Sequence, residues 1–121
     1  MITISDDRNQ ATDAILGALA DPTRRRIVEL LGEAPRRASD LHRAFPIAAP
    51  AVSRHLRVLR EAGLIADRGV PGDKRVRVYV LEPRALEPLA DWLAQRSRAW
   101  QLQLDSFKDY VALRTVGDDA K

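Results

Sequence analysis

The stretch AAPAVSRHLRVLREAGLI, residues 48–65, predicts one short helix with two chemically opposite faces. On a helical wheel with about 100° per residue, Val52, Leu56 and Leu59 share the centre of one face. The opposite face and its edges carry a hydroxyl group and several guanidinium groups, from Ser53, Arg54, Arg57 and Arg60. We expect the apolar face to pack on other helices. An outward cluster of guanidinium groups is typical of a surface that binds a polyanion.

Three more helices are predicted before this stretch. The segment QATDAILGALA, residues 10–20, has apolar side chains at helical spacing. Asp21 as the N-cap and Pro22 at the first helical position predict the start of a second helix. A third, short helix starts at Ser39 or at an earlier residue. Gly63 then provides the C-terminal cap of the helix in the opening stretch.

The segment LIADRGVPGDKRVRVYVLEP, residues 64–83, changes from the period of a helix to that of a strand. Its Pro-Gly-Asp sequence at residues 71–73 predicts a turn between two antiparallel strands. A lone hairpin is only marginally stable in water, so we expect its valine face to lie on the helices. In the second strand, alternation places Val76, Val78 and Val80 on that face and Arg75, Arg77 and Tyr79 on the other.

Residues 84–114 predict one long helix, because they contain no Gly and their only Pro, Pro88, falls in the first turn. Apolar side chains recur in this helix at the alternating spacing of a heptad seam. The seam consists of Leu86, Ala90, Leu93, Ser97, Trp100, Leu104, Phe107 and Val111. One small domain cannot bury so long a seam, and an exposed apolar patch of this kind marks an interface.

The charge of the chain is concentrated in its middle. The formal net charge is only +3, but residues 22–84 carry fourteen cationic and seven acidic side chains, while both ends are mildly acidic. Thirteen of those fourteen cations are arginine. The planar guanidinium fork suits phosphate groups and guanine edges, so this segment is typical of a nucleic-acid-binding module.

Several classes of protein are excluded by what the sequence lacks. The chain has no cysteine, so disulfides and thiolate metal sites are absent. No apolar run has the length of a membrane span, and the first residues lack the features of a secretory signal. The two histidines, His42 and His55, provide no nucleophile–base set, and no phosphate-binding glycine loop is present. We therefore expect a cytoplasmic, non-enzymatic protein that contacts no membrane and needs no cofactor.

The segments LADPTRRRIVELL, ASDL, PAVSRHLRVLREAGLI and RVRVYVLEP resemble, in order and spacing, the ArsR/SmtB-type winged-helix transcriptional repressors of bacteria. The resemblance covers roughly residues 10–113. The C-terminal LADWLAQRSRAWQLQLDSFKDYV is similar to a subgroup of that family that lacks metal sites. The resemblance implies a winged helix-turn-helix fold that is mainly α with a small β-hairpin wing. It also implies a homodimer, formed by the first and last helices, on an inverted repeat of double-stranded DNA.

The resemblance assigns roles to individual residues. It implies DNA contacts from the recognition helix and the wing by Ser53, Arg54, Arg57, Lys74, Arg75 and Arg77. Arg60, at the edge of the outward face on the helical wheel, is predicted to join them. His55 occupies the family's usual histidine position, where a DNA contact and a packed, hydrogen-bonded side chain are both open. The dimer interface is expected to include Ile15, Leu19, Leu93, Trp100, Leu104, Phe107 and Val111.

The sequence departs from the family pattern in two places. Ala48 and Ala49 replace the usual Ser and Gln, and alanine cannot cap, which costs on the order of 1 kcal/mol of helix stability. The positions of the metal-binding cysteines hold Arg37 and Ser39, and the last helix contains no histidine. A guanidinium group does not ligate a metal ion. We therefore expect no metal site, and the sequence identifies no small-molecule effector.

The expected organisation is one domain in four parts. Residues 1–9 are predicted to be flexible, residues 10–83 to form the DNA-binding core with its wing, residues 84–114 to form the dimerisation helix, and residues 115–121 to be a loose tail. The alternative hypothesis is a winged-helix module that binds proteins rather than DNA. That version should replace the outward arginines with apolar or acidic residues, and this chain keeps them.

Overall fold

The computed structural model describes residues 4–119 and contains, in that part of the chain, five helices and three short strands. Contacts divide the chain into two compact units, Met1–Leu89 and Ala90–Lys121, and the described residues of the second unit all lie in one helix. In chain order the elements are α1 (Ile4–Leu19), α2 (Pro22–Glu33), β1 (Arg36–Arg37), α3 (Ala38–Ala44), α4 (Ala49–Glu61), β2 (Ile65–Val70), β3 (Asp73–Leu81) and α5 (Glu87–Asp119). The mainly helical fold with a small β wing is the one expected.

The corner between α1 and α2 is held by charged side chains that cap both helices. The Asp21 carboxylate accepts hydrogen bonds from the backbone N–H groups of Thr23, at 2.8 Å, and Arg24, at 3.1 Å. Arg24 Nε in turn donates to the carbonyl of Ala18 at 2.6 Å. Arg25 donates to the carbonyl of Leu19 at 2.8 Å. These bonds satisfy backbone groups that each helix end leaves without an intrahelical partner, and they confirm the predicted cap.

The two ends of α4 differ in how they are stabilised. Ala48 occupies the N-cap position and makes no side-chain cap bond, as its methyl group requires. At the other end Gly63 has a positive φ of 79° and donates to the carbonyl of Arg60 at 3.0 Å. Leu64 donates to the carbonyl of Leu59 at 3.0 Å, which completes a Schellman motif. Leu59 and Leu64 are both fully buried, so the C-terminal cap is also a core contact.

The hydrophobic core of the first unit collects one apolar face from each of its helices. Its largest fully buried side chains are Ile27, Leu41, Val52, Leu59 and Leu64. The predicted inward face of α4 is confirmed, because Val52, Leu56 and Leu59 are all buried. Burial of one such side chain contributes about 1.5–3 kcal/mol, so this face is the main stabilising feature of a helix that lacks an N-cap bond.

Helix α1 is longer than the sequence predicts. It begins at Ile4 rather than at residue 10, because nothing between these positions breaks a helix; residues 1–3 lie outside the described part. Its apolar face is also used within the chain, since Ile15 is buried in the core and Leu19 packs against it. Ile15 is thus covered within its own chain and Leu19 is partly covered, while their contribution to a dimer interface stays a prediction.

The sheet has three strands in the order β1–β3–β2, all antiparallel. The sequence predicted only the β2–β3 hairpin, and β1 adds the pairs Arg36–Tyr79 and Arg37–Val78. The prediction that the three valines of β3 face the helices is also wrong. The core takes Tyr79, which is buried, together with Ile65 and Leu81 from the same face.

The three valines of β3 lie on the face of the sheet opposite to the core side chains. Val76, Val78 and Val80 alternate with the core-facing side chains and are only half-buried. Alternation sorts side chains into two faces, but it does not say which face the helices cover. The aromatic ring of Tyr79 offers more apolar area than a valine, and the core face is the one that contains it.

Helix α5 starts at Glu87, three residues after the predicted start, and continues to Asp119. Most of the segment predicted as a loose tail is therefore helical, while residues 120–121 lie outside the described part. The seam side chains Leu93, Trp100, Leu104, Phe107 and Val111 are each between 43% and 62% exposed. Within residues 4–119, no helix combines the length and hydropathy that crossing a membrane requires.

The Asp21 cap gives a prediction for stability and its pH dependence. The hydrogen bond from the Arg24 backbone N–H is the main cause that lowers the pKa of Asp21 below its ordinary 3.8. Asp21→Ala should lower the free energy of unfolding by about 1 kcal/mol at neutral pH, while Asp21→Asn, which keeps an acceptor, should lose less. Urea denaturation of the three proteins measures this.

The sign of the pH effect follows from the direction of the shift. A carboxylate with a lowered folded-state pKa stabilises the fold fully above pH 3.8, and this contribution is lost as pH falls through the lowered value. The difference between wild type and Asp21→Ala should therefore shrink in acid. An undiminished difference at about pH 2 would contradict the role of the ionised cap.

Candidate nucleic-acid interface

The outward face of α4 borders an open cleft between α3, α4 and the base of β3. Its volume is about 490 Å³, and its lining includes His42, Ser53, Arg54, Arg57, Arg60 and Tyr79. Ser53, Arg54 and Arg57 are exposed, as the sequence predicted. Their neighbours Val52 and Leu56 are buried on the inner face of α4, so these three side chains project from the outer face. The cleft is therefore a groove that combines hydroxyl and guanidinium donors.

The cations of the first unit fall into two groups according to whether they have a partner. Arg26, Arg36, Arg43 and Arg68 each form an ion pair with a carboxylate. Among the side chains that the structure describes in this unit, six cations have neither an ion pair nor a side-chain hydrogen bond: Arg37, Arg54, Arg57, Lys74, Arg75 and Arg84. Five of the six lie on α4, on the hairpin or in β1, beside the two clefts. Unpaired positive charge is thus concentrated on one functional region.

Asp67 ties the end of α4 to the wing. Its Oδ2 lies 2.9 Å from Arg77 Nη1 and 3.8 Å from Arg60 Nη1, and its side chain is 12% exposed. Its Oδ1 is buried and has no hydrogen-bond partner. A buried carboxylate needs paired charge, so the two guanidinium groups are held in place by it. Arg60 and Arg77, both named from the sequence as DNA contacts, therefore carry a structural role as well.

His55 is half-buried and contacts the corner between α1 and α2. Its Nδ1 lies 3.3 Å from Arg24 Nη1. A guanidinium group only donates hydrogen bonds, so Nδ1 is the acceptor and the ring proton belongs on Nε2. This contact is the packed, hydrogen-bonded environment that the sequence left open for His55, and a DNA contact by the same half-buried ring stays a prediction. It connects α4 to the carbonyls at the end of α1 through one arginine.

Sequence reasoning missed Arg37 and Tyr79 as parts of this region. Arg37 lies in β1, a strand of two residues that no periodicity can reveal, and it lines a second cleft beside the wing. Tyr79 was assigned only to a strand face, yet it is one of the residues that line the α4 cleft. Within residues 4–119, no group of three His, Asp or Glu side chains is placed to hold a metal ion.

Known proteins resemble this chain in sequence and in fold. Residues 21–67, from the cap of α2 into β2, match the family described as "Bacterial regulatory protein, arsR family". The chain is 40% identical over 110 residues to the HTH-type transcriptional regulator Rv2034 of Mycobacterium tuberculosis, which covers 91% of this chain and 95% of the relative. It is also 40% identical over 79 residues to the transcriptional repressor SdpR of Bacillus subtilis, covering 65% of this chain and 84% of that protein.

A solved structure agrees with these relatives. An ArsR-like transcriptional regulator from Rhodococcus sp. RHA1 is 28% identical and superimposes with a TM-score of 0.69, covering 84% of this chain and 92% of that chain. Sequence and fold thus agree along α2, α3, α4 and the wing. The chain belongs to the ArsR family of bacterial regulatory proteins and is a winged helix-turn-helix transcriptional regulator.

Proposed function

We propose that this regulator is a repressor that binds an inverted-repeat operator as a homodimer, with α4 in the major groove and the β2–β3 wing on the flanking backbone. One observation carries the proposal: Arg54 and Arg57 are unpaired and exposed on a helix whose other face is core. The name of the Bacillus subtilis relative, a transcriptional repressor, supports the direction of regulation. Such a protein acts in the bacterial cytoplasm, where the DNA is.

Direct readout rests on the outward face of α4. Ala48 and Ala49 leave the start of the helix with methyl groups, which contact thymine but donate no hydrogen bond. Ser53, Arg54 and Arg57 supply the hydrogen-bond donors that read base edges. A guanidinium group that meets guanine O6 and N7 with two hydrogen bonds gives the strongest discrimination among such contacts.

Arg57→Ala tests this readout. The operator is first selected from random duplexes with the wild-type protein. The substitution should then cost about 1–3 kcal/mol on the selected operator and much less on random DNA, because it removes a base contact. Fluorescence anisotropy on both duplexes measures the two losses.

The matched control for this substitution is Arg26→Ala, which removes the same charge from an arginine already paired with Glu29 on α2. It should change neither affinity substantially. Equal losses on both duplexes for Arg57→Ala would reduce the residue to a phosphate contact. Unchanged binding would remove α4 as the recognition helix.

The exposure of α5 supports the proposed homodimer. Its seam leaves Trp100 and Phe107 more than half exposed, and such an apolar surface on a soluble helix indicates a partner. We propose that residues 10–20 and 85–113 of both chains form the interface across a two-fold axis, and the exposed Leu16 on α1 is available to it. A two-fold axis would place the recognition helices about 34 Å apart, one turn of DNA.

Trp100→Asp tests the dimer. A carboxylate at the centre of the seam should leave a monomer, because burying an unpaired charge in an interface is costly. Sedimentation velocity at micromolar concentration should show the wild type as a dimer and the variant as a monomer with weakened operator binding. Gln95→Asp, on the other side of α5, is the control and should remain dimeric. A monomeric wild type would overturn the proposal.

Asp67→Asn tests whether the carboxylate sets specificity. Removing its charge releases Arg60 and Arg77, so binding to random DNA should tighten, and log affinity should fall more steeply with log salt, by roughly 1–2 units of slope. The preference for the operator should fall, because the wing and α4 lose their common anchor. Asp40→Asn, which releases only Arg43 on α3, is the matched control. Identical salt slopes for the two variants would contradict the role of Asp67.

Two further parts of the proposal concern what the protein does without. We propose that no metal ion switches its DNA binding, since Arg37 and Ser39 occupy positions near the start of α3 where a sensor would need thiolates. We also propose that it has no catalytic activity. The alternative, a winged helix that binds proteins, is disfavoured by the unpaired arginines around α4, which a protein partner would have to desolvate.

A further inference from the structure

One arginine side chain joins three helices of the first unit. Arg24 Nε donates to the carbonyl of Ala18 at 2.6 Å, and its Nη2 donates to the carbonyl of Gly17 at 3.2 Å, both at the end of α1. The remaining amino group, Nη1, lies 3.3 Å from His55 Nδ1 on α4. Arg24 itself belongs to the first turn of α2, where its backbone N–H donates to the Asp21 carboxylate. The end of α1, the start of α2 and the middle of α4 therefore meet at one side chain.

The guanidinium group gives its contact with α4 a fixed direction. The group is planar, and two of its three nitrogen atoms are already bound to carbonyls of α1. The direction of the third nitrogen is therefore set by α1, and the acceptor that meets it is a half-buried histidine ring. Hydrogen bonds weaken steeply when donor and acceptor are misaligned. The contact between Arg24 and His55 thus holds one point of α4 relative to α1.

Polar contacts hold α4 at both edges of its buried face. With about 100° per residue, His55 lies about 60° to one side of Val52, near the centre of that face, and Arg60 lies about 80° to the other side. Arg60 lies 3.8 Å from the Asp67 carboxylate on β2, so one edge is tied to the wing. The other edge is tied to α1 through Arg24. Apolar burial is non-directional, so these two contacts set the rotation of α4 about its own axis.

The rotation of α4 matters because base edges are read over short distances. Side-chain atoms at the surface of a helix lie about 5–6 Å from its axis, so a rotation of about 20° moves them by about 2 Å. The hydrogen bonds that read a base vary in length by only about 0.5 Å. A small rotation therefore removes contacts from Arg54 and Arg57 to bases. Contacts to phosphates survive it, since the attraction between charges falls off gradually with distance.

We propose that Arg24 is a positioning residue for base readout, and that it sets the rotation of α4 relative to α1 through His55 Nδ1. The inference rests on the proposed function, in which α4 reads bases. This role requires no contact between Arg24 and DNA. Because residues 10–20 of α1 also belong to the proposed dimer interface, the same hydrogen bond relates the orientation of each reading helix to the two-fold axis. Loss of this bond should reduce the preference for the operator and leave the affinity for random DNA nearly unchanged.

Two substitutions of His55 separate the roles of its two ring nitrogens. The amide oxygen of Asn lies as many bonds from Cβ as Nδ1 does, and the amide group of Gln lies as many bonds away as Nε2. His55→Asn thus keeps an acceptor for Arg24, whereas His55→Gln moves the amide past it. His55→Gln should weaken binding to the selected operator by about tenfold, the size of one base contact, and change binding to random DNA by less than about twofold. His55→Asn should restore most of the operator preference. Fluorescence anisotropy on both duplexes measures these affinities.

The order of the two variants tests simpler roles for His55. Gln has the higher helix propensity, so a role in helix stability alone predicts that His55→Asn is the weaker binder. A direct DNA contact from Nε2–H predicts the same order, because only Gln keeps an amide at that distance from Cβ. Operator preference that is kept by His55→Gln and lost by His55→Asn would overturn the proposal, and so would equal losses in both. Binding is measured well below the unfolding temperature of each variant, which circular dichroism provides.

Arg24→Lys tests the other partner of the contact. An ammonium group keeps the charge but has no planar fork that spans the carbonyls of α1 and His55. The variant should lose operator preference as His55→Gln does, and the double variant should lose no more, because both changes remove one contact. The control Arg25→Lys should keep the preference, since the Arg25 side chain, in the described part of the chain, hydrogen-bonds only to the carbonyls of Leu19 and Ala20. Losses that add up in the double variant would contradict the proposal.

These measurements also separate the positioning role from the proposed function. If Arg57→Ala loses the operator while His55→Gln binds like the wild type, the positioning role fails and the proposed function stands. If the wild-type protein prefers no duplex, both fail. Should Arg24→Lys not fold, the comparison of His55→Asn with His55→Gln decides on its own.

Discussion

The burial of one face of α4 is the constraint on which the rest of the structure depends. Val52 and Leu59 are fully buried, and Leu56 nearly so. With 3.6 residues per turn, Ser53, Arg54 and Arg57 then fall away from this buried face and are exposed. No side chain caps the start of α4, so packing and the C-terminal Schellman motif hold it. The same packing therefore stabilises the core and fixes the orientation of the exposed arginines. A substitution that loosens the core also makes the positions of these arginines less well defined.

Arginine has two different uses in this chain, and the number of arginines alone does not distinguish them. Arg24 and Arg25 cap α1 through its last carbonyls, and Arg24 also anchors His55. Arg60 and Arg77 are shared between Asp67 and solvent. Among the described side chains of the first unit, five of the six cations without a partner lie on α4, on the hairpin or in β1. The positions of the acidic residues therefore decide which guanidinium groups are available to a polyanion, because ion pairs hold the others in the fold.

The features that the sequence predicts correctly are local. Asp21 with Pro22, and Gly63, mark helix ends through hydrogen bonds that span only a few residues, and the faces of α4 follow from its own period. The errors concern which partner covers a face. Tyr79 is aromatic in any reading, but its burial depends on contacts with distant elements. The two-residue strand β1 exists only because β3 lies beside it, so no pattern within residues 36–37 could reveal it.

The two units also differ in whether they have a core of their own. The core of the first unit alone fixes α4 relative to the wing, through Asp67 and the β2–β3 pairing. The second unit, a single helix, has no core of its own, and an isolated helix gains little stability from its backbone. In the proposed dimer, order in α5 and association of the two chains are therefore one equilibrium that depends on protein concentration. Each chain contains a complete DNA-binding surface of α4 and wing. Weakening the seam should therefore leave the affinity for one half-site unchanged and remove only the additional affinity that comes from binding two half-sites at once.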